Sequence, residues 1–293
     1  MRRTPAEPIG RFALLFVLSL GACQDTASGE PEPLPEGIRA IDASGAQVAL
    51  GEPAQRIISL VPSATQTLQA LGVGDLLVGR TDYDTGAWLA DVPSVGGGLD
   101  PNLEEIIALR PDLVIRFGGN QDPRTPARLD EFGITHAAVR PDRIADLYAS
   151  VILLGRLTGA DQAADSLVTA IEEGLAELSR NAESLPRLRA AYVLGGTPPW
   201  VAGPNTYIDE ILDLLGADNV FSDLGALYTS VSREEIRARD IDVVLVSDAS
   251  QFDGTLAPDA RVVEIGSALE VPGPDVVRSA RDVAELLRGP SGR

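Results

Sequence analysis

The chain has 293 residues, 44% of them apolar and 23% charged, which supplies packed cores and excludes a disordered polymer. On length it divides into about two domains. All of its basic residues are arginine, and a formal charge of −19 makes nucleic-acid phosphates and anionic lipid headgroups poor partners, because like charges repel.

The N-terminus carries Arg2, Arg3 and Arg11, then an apolar run from Phe12 to Leu20, then Gly21-Ala22-Cys23. A basic region, a short apolar core and small residues before a cleavage point make a secretory signal, and the run is too short to span a bilayer. Leu20-Gly21-Ala22-Cys23 resembles the bacterial lipobox, which implies removal of residues 1–22 and acylation of Cys23 as the mature N-terminus; the alternative is an ordinary secretory signal with an incidental cysteine. Losing residues 1–22 removes three arginines and Glu7 and leaves a charge of about −21. Cys23 is the chain's only cysteine, so no internal disulfide is possible. Residues 23–37, rich in Pro, Glu and Ser, read as a flexible tether. Arg2-Arg3 lacks the surroundings of a twin-arginine signal, so export in the unfolded state is expected.

Residues 38–50 alternate around Asp42-Ala43-Ser44-Gly45 and predict a hairpin. Arg56–Val61 reads as a buried strand, followed by a helix from Pro62-Ser63 to Leu71 that ends at Gly72. Strands are expected at 76–78 and 113–115, with a helix over 103–109 between them, the alternation of a parallel α/β sheet. A similar order returns about 130 residues later. Glu104-Glu105-Ile106 before Asp112-Leu113-Val114 matches Glu234-Glu235-Ile236 before Asp242-Val243-Val244, Leu71-Gly72 echoes Leu215-Gly216, and Arg56–Val61 echoes Arg189–Leu194. Two similar lobes, 38–141 and 187–290, are the simplest reading of this self-similarity, with chance likeness of short units as the alternative.

Between the lobes, residues 142–186 hold helical spacing at Ile144, Leu147, Val151, Leu154 and Leu157, and again at Leu167, Ile171, Leu175 and Leu178, with Gly159 interrupting. A rigid inter-lobe helix there would limit hinge closure, and the cleft between the lobes is the default ligand site. Catalytic machinery is missing. The one histidine, His136, sits in a strand-like run where satisfaction by neighbours is expected, although haem iron could use it; one His and one acylated Cys leave no protein-only transition-metal site. Gly96-Gly97-Gly98 and Gly118-Gly119 lack the lysine and spacing of a phosphate loop.

Ile57-Ile58-Ser59-Leu60-Val61-Pro62-Ser63, Val78-Gly79 to Tyr83, Asn102-Leu103-Glu104 to Asp112-Leu113-Val114-Ile115, Pro199-Trp200-Val201-Ala202-Gly203-Pro204, Tyr207-Ile208-Asp209-Glu210 and Val231-Ser232-Arg233-Glu234 together resemble the helical-backbone periplasmic binding proteins that serve importers of cobalamin, haem and ferric siderophores. The resemblance covers about 38–289, and its second half is most similar to the cobalamin-binding branch. It implies an α/β fold of two Rossmann-like lobes, no enzymatic activity, no resident cofactor, a monomer, and capture of a corrinoid for an ABC permease dimer with its ATPase. An iron complex is the second ligand, and an envelope adhesion or scaffold lipoprotein the non-transport alternative.

By position, the resemblance implies ligand contacts at Tyr83, Phe117, Trp200 and Tyr228, with Ser63 where the first helix meets the ligand, and a permease-docking role for Glu104 and Glu234. The last two stand one per lobe in the first turn of helices capped by Asn102 and Ser232, with Glu105 and Glu235 placed to close a capping box. There are departures. The family's aromatic near Gly97-Gly98 is missing and the run reads as a mobile loop, while Ser267, Ala268 and Val271 replace an acidic, an aromatic and a basic residue, which predicts a more open, less polar cleft.

Overall fold

The Asp42 turn closes the first hairpin. In the computed structural model, which describes residues 37–119 and 122–289, β1 (Ile38–Ile41) and β2 (Gln47–Leu50) pair antiparallel around it. Asp42 Oδ1 accepts from the Ser44 N–H at 2.8 Å, the Ser44 hydroxyl at 2.6 Å and the Ala46 N–H at 3.0 Å, the local bonding that favours Asp in turns. Its other oxygen accepts the Ala138 N–H at 2.8 Å and fastens the hairpin to the sheet behind it. The signal segment, Cys23 and the tether to residue 36 lie outside the described residues.

That sheet contains β3 (Ile57–Ser59), β4 (Leu77–Gly79), β5 (Leu113–Phe117) and β6 (His136–Val139), all parallel, in the order β4-β3-β5-β6. Helices α1 (Pro62–Ala70), α2 (Leu103–Leu109) and α3 (Arg124–Glu131) connect its strands. Ile57 and Ile58 are both fully buried but belong to separate cores, because successive strand residues face opposite sides and both sides are covered. Pro62 opens α1, where its missing N–H costs nothing and its fixed φ suits the first turn.

Where the spacing predicts one inter-lobe helix, the chain forms two, α4 (Ile144–Thr158) and α5 (Asp161–Ala182). Gly159 takes φ 72°, a left-handed cap, and α5 packs back on α4. The apolar period persists because each helix buries a stripe in the same core, so spacing alone could not register the reversal.

The second lobe holds β7 (Leu188–Gly195), β8 (Trp200–Ala202), β9 (Ala217–Asn219), β10 (Tyr228–Ser230), β11 (Val243–Val246) and β12 (Arg261–Glu264), with α6 (Tyr207–Leu214), α7 (Arg233–Arg237) and α8 (Val276–Arg288). Strands run β10-β8-β7-β11-β12, and β9 lies beside the start of β7. β7, β9, β11 and β12 are parallel, whereas β8 and β10 are antiparallel additions.

The repeat seen in the sequence extends to hydrogen bonding. In the first lobe the Arg56 N–H donates to Asp112 Oδ1 at 3.0 Å and the Asp112 N–H returns to the Arg56 carbonyl at 3.0 Å. In the second the Arg189 N–H donates to Asp242 Oδ2 at 2.7 Å and the Asp242 N–H returns to the Arg189 carbonyl at 2.9 Å. Gly72 and Gly216 follow α1 and α6 at φ 77° and 72°.

The lobes meet at a seam. The Tyr207 N–H donates to the Asp142 carbonyl at 2.6 Å, the Ile144 N–H donates to Glu210 Oε2 at 2.7 Å, and Arg143 pairs with Glu210 Oε1 at 2.7 Å.

Burial pushes the Asp42 carboxyl up, but the Ser44 hydroxyl and the N–H groups of Ala138, Ala46 and Ser44 outweigh it and hold the group below its ordinary 3.8. The unfolded chain therefore takes up the proton first, and this stabilisation is complete above the ordinary carboxylate range and lost as pH falls through it and below. Asp42→Ala is expected to cost about 1–3 kcal/mol in urea unfolding near neutral pH, with the gap to wild type narrowing as pH drops below about 4. A gap independent of pH would contradict this role.

Candidate ligand-binding cleft

Parallel strands present their carboxyl ends to one edge of a sheet, and in α/β folds ligands collect outside that edge. Here both sheets turn such edges toward the same space. β5 ends on Phe117, β11 is followed by Ser247, and the chain after β12 brings Leu269, Glu270 and Pro272. With Asp142, Tyr192, Leu194, Tyr207 and Tyr228 they line a cleft of 360 Å³ that draws residues from both lobes. Three of the chain's five tyrosines stand there, in a protein with only 4% aromatic residues.

Each phenol is held differently. Tyr192, almost wholly buried in β7, has its hydroxyl 3.2 Å from Ser247 Oγ. Tyr207 opens α6 after the cap Thr206 and donates its hydroxyl to the Leu269 carbonyl. Tyr228, half-buried at the start of β10, has no side-chain hydrogen bond among the described residues. Burial, then the charge of Asp142, then Tyr192 push its phenol far above the usual tyrosine range. Tyr207 is raised by burial, then by Tyr228, Tyr192 and Glu270, and Tyr192 is raised chiefly by burial. All three are neutral phenols at physiological pH; Tyr192 and Tyr207 are buried with their hydroxyls engaged, and Tyr228 keeps a hydroxyl without a partner among the described residues.

A second cavity of 520 Å³ adjoins the first through Glu270, which lines both. Thr65 and Gln66 of α1, Tyr83, Asp84, Trp88 and the segment after β12 surround it. In the run 96–98, a Cβ on Gly98 would stand 2.4 Å from the Leu60 carbonyl oxygen, so only glycine lets the two backbones approach.

The structure gathers some of the residues singled out in the sequence and leaves others apart. Phe117 and Tyr228, one from each lobe, both line the first cleft; Tyr83 lines the second and is 71% exposed. Trp200 lines neither. It pairs with Ser230 as Ala202 pairs with Tyr228, so it projects from the same sheet face as Tyr228 and is 48% exposed. Ser63 also lines neither: it is buried in the first turn of α1, where its carbonyl accepts the Thr67 hydroxyl at 2.8 Å. Sequence reading missed Asp142, Tyr192, Tyr207 and Glu270. Ser267, Ala268 and Val271 do border the second cavity, and Glu270 among them supplies a carboxylate there.

Away from the cleft, His136 is spoken for on β6. The Arg116 guanidinium donates to its Nδ1 at 3.1 Å and its Nε2 lies 3.2 Å from Asp130, while burial and then Arg116 lower its pKa and keep the ring neutral. Among the described residues no group of three or more His, Cys, Asp or Glu side chains is placed to hold a metal.

Glu104 and Glu234 are exposed in the first turns of α2 and α7, without an ion-pair partner among the described residues. Asn102 Oδ1 caps α2 by accepting from the N–H groups of Glu104 and Glu105, and Ser232 caps α7 by accepting from the Glu235 N–H at 3.0 Å. The reciprocal halves of the boxes do not form as expected. The Asn102 N–H goes to the Val95 carbonyl at 2.7 Å, and the Glu235 carboxylate turns to Arg239 at 3.4 Å.

Comparison with known proteins sets this geometry in a family. The profile described as periplasmic binding protein matches residues 57–262. A cobalamin-binding protein of Halobacterium salinarum is 30% identical over 273 residues, spanning 84% of this chain and 72% of its own. The periplasmic vitamin B12 binding protein of Vibrio cholerae superposes with a TM-score of 0.68 at 23% identity, covering 80% of this chain and 97% of that one. The periplasmic haem binding protein of the same species gives 0.71 at 22% identity, covering 80% and 99%. At those identities the two structures establish a shared fold alone, so ligand identity rests elsewhere. A family match across most of the folded chain, on a two-lobed α/β fold with a cleft between its lobes, places this chain in the periplasmic binding protein family, as a solute-binding protein and not an enzyme.

Proposed function

We propose that this solute-binding protein of the ABC importer class captures a corrinoid in the inter-lobe cleft and delivers it to its permease. The observation that carries the reading is the meeting of Phe117 from one sheet with Tyr192, Tyr207 and Tyr228 from the other around a single cleft. Aromatic rings bring large rigid area with little entropy to lose, and neutral hydroxyl tips bond the polar edge of a ligand whose face is apolar, the surface a corrin presents. The 30% identity to a cobalamin-binding protein supports the same ligand class. In this reading Tyr83 and Trp200, both well exposed, contact the macrocycle from the rim, and Ser63 sets the start of α1 behind it.

The mature protein then runs from an acylated Cys23 through a tether to residue 37 and into lobes 38–141 and 187–290 about the helical segment 142–186. The lipobox-like Leu20-Gly21-Ala22-Cys23 supports the anchor. Mass spectrometry of the membrane fraction is expected to find a diacylglyceryl adduct on Cys23; a soluble, unmodified product that begins elsewhere would contradict it.

Phe117→Ala and Tyr228→Ala are each expected to weaken calorimetric binding of cyanocobalamin by about tenfold, the effect of losing one stacking surface and its buried area. Affinity unchanged in both variants would show that the ligand lies elsewhere.

Glu104 and Glu234 complete the proposal as docking groups. Each is exposed, held at the positive end of a capped helix and placed at an equivalent point of the repeat, one per lobe. Two like charges so placed suit a two-fold symmetric permease with basic pockets and steer the encounter. Replacing both with arginine is expected to abolish uptake in cells while cyanocobalamin affinity and folding stay at wild-type values. Normal uptake by the double variant would remove these residues from the interface.

A further inference from the structure

The charges that face the two cavities are not equal in what they leave available. Asp142 is paired with Arg140 at 2.6 Å. Asp84 is spent on the Thr81 N–H at 2.8 Å and the Thr81 hydroxyl at 2.6 Å. Arg278, the one basic residue lining either cavity among the described residues, is paired with Asp275. Asp282 in the second cavity and Glu270 have no such partner among the described residues, and of the two only Glu270 lines both cavities.

The backbone also holds Glu270 in place. Its N–H donates to the Ser267 carbonyl at 3.1 Å, and its neighbour Leu269 is 1% exposed with its carbonyl bonded to the Tyr207 hydroxyl. On the other side, Gly273 abuts Gln66 and Ser63 of α1. The backbone of residue 270 is thus held at the junction of the two cavities, which its exposed carboxylate lines, and its charge raises the Tyr192 and Tyr207 phenols.

We propose that Glu270 sorts ligands by the charge of their periphery, admitting macrocycles edged with amides or cations and rejecting those edged with carboxylates. The inference rests on the corrinoid reading for the identity of the macrocycle, but not for the rule itself. An amide N–H meeting Glu270 makes a charge-assisted hydrogen bond. A ligand carboxylate would instead bring a second negative charge beside Glu270, where the one lining guanidinium among the described residues is already paired, and like charges brought together there oppose binding.

The test uses the full mature chain and two corrinoids that share ring and cobalt, dicyanocobyrinic acid as its heptaamide and as its heptacarboxylic acid. Wild type is expected to bind the heptaamide more tightly in calorimetry. Glu270→Gln should shrink that preference by about tenfold, the size of one hydrogen bond to a charged group, and Glu270→Arg should shrink it further or reverse it. Circular dichroism checks that both variants are folded. A ratio of affinities unchanged in the two variants would overturn the proposal. If wild type binds neither corrinoid, the corrinoid reading falls and the rule is read from a cationic ferric hydroxamate against a triply anionic ferric catecholate. Preference for the cation, weakened in Glu270→Gln, sustains the rule, and preference for the anion or for neither overturns it.

Discussion

The seam between residues 142–144 and the first turn of α6 is the contact on which the rest of the site depends. A helix that begins inside a protein leaves N–H groups without partners. At the start of α4, the Ile144 N–H is satisfied across the lobe boundary by the Glu210 carboxylate at 2.7 Å, and Arg143 pairs with that carboxylate at 2.7 Å. One residue earlier, the Asp142 carbonyl accepts the Tyr207 N–H at 2.6 Å. Asp142 and Tyr207 are both cleft residues. The bonding that joins the lobes therefore also sets the floor of the cavity, and the tyrosine whose N–H enters the seam uses its hydroxyl to hold the chain that carries Glu270. Opening the lobes as a hinge would break a charged cap and a backbone bond together, and that couples lobe geometry to ligand-site geometry.

The duplicated architecture explains how one chain presents matched surfaces to two sides. The Arg56–Asp112 and Arg189–Asp242 clasps align the central strands of each sheet, the glycines after α1 and α6 take the same left-handed conformation, and the capped helices α2 and α7 leave one exposed glutamate each. What the lobes do not share is equally informative. The second sheet adds the antiparallel β8 and β10, and β10 is the strand that brings Tyr228 to the cleft. The aromatic lining is accordingly lopsided, with one ring from the first lobe and three from the second.

How much of this was legible in the sequence depends on the range of the interactions involved. The Asp42 hairpin, Pro62 at the start of α1 and the Asn102 and Ser232 caps are local devices, and each formed where its residues stand. Buried strands announced themselves as apolar runs because both faces of a parallel sheet are covered. Apolar spacing could not distinguish one helix from two that share a core, so the reversal at Gly159 was invisible. Tyr192 lies in a run that reads as plain core, and only the fold shows its hydroxyl at a cleft edge beside Ser247. Glu270 was not legible because the resemblance concerns 267, 268 and 271, whereas the burial of Leu269 in the fold sets its neighbour at the edge of both cavities. Trp200 and Ser63 stand in the motifs but line neither cavity.

The most direct test of the account is a crystal structure of the mature chain grown with cyanocobalamin. The corrin is expected between the lobes, its face against Phe117 and Tyr228 and an amide side chain on Glu270. A corrin bound outside the two cavities, or within them with Phe117 and Tyr228 out of contact, would contradict it.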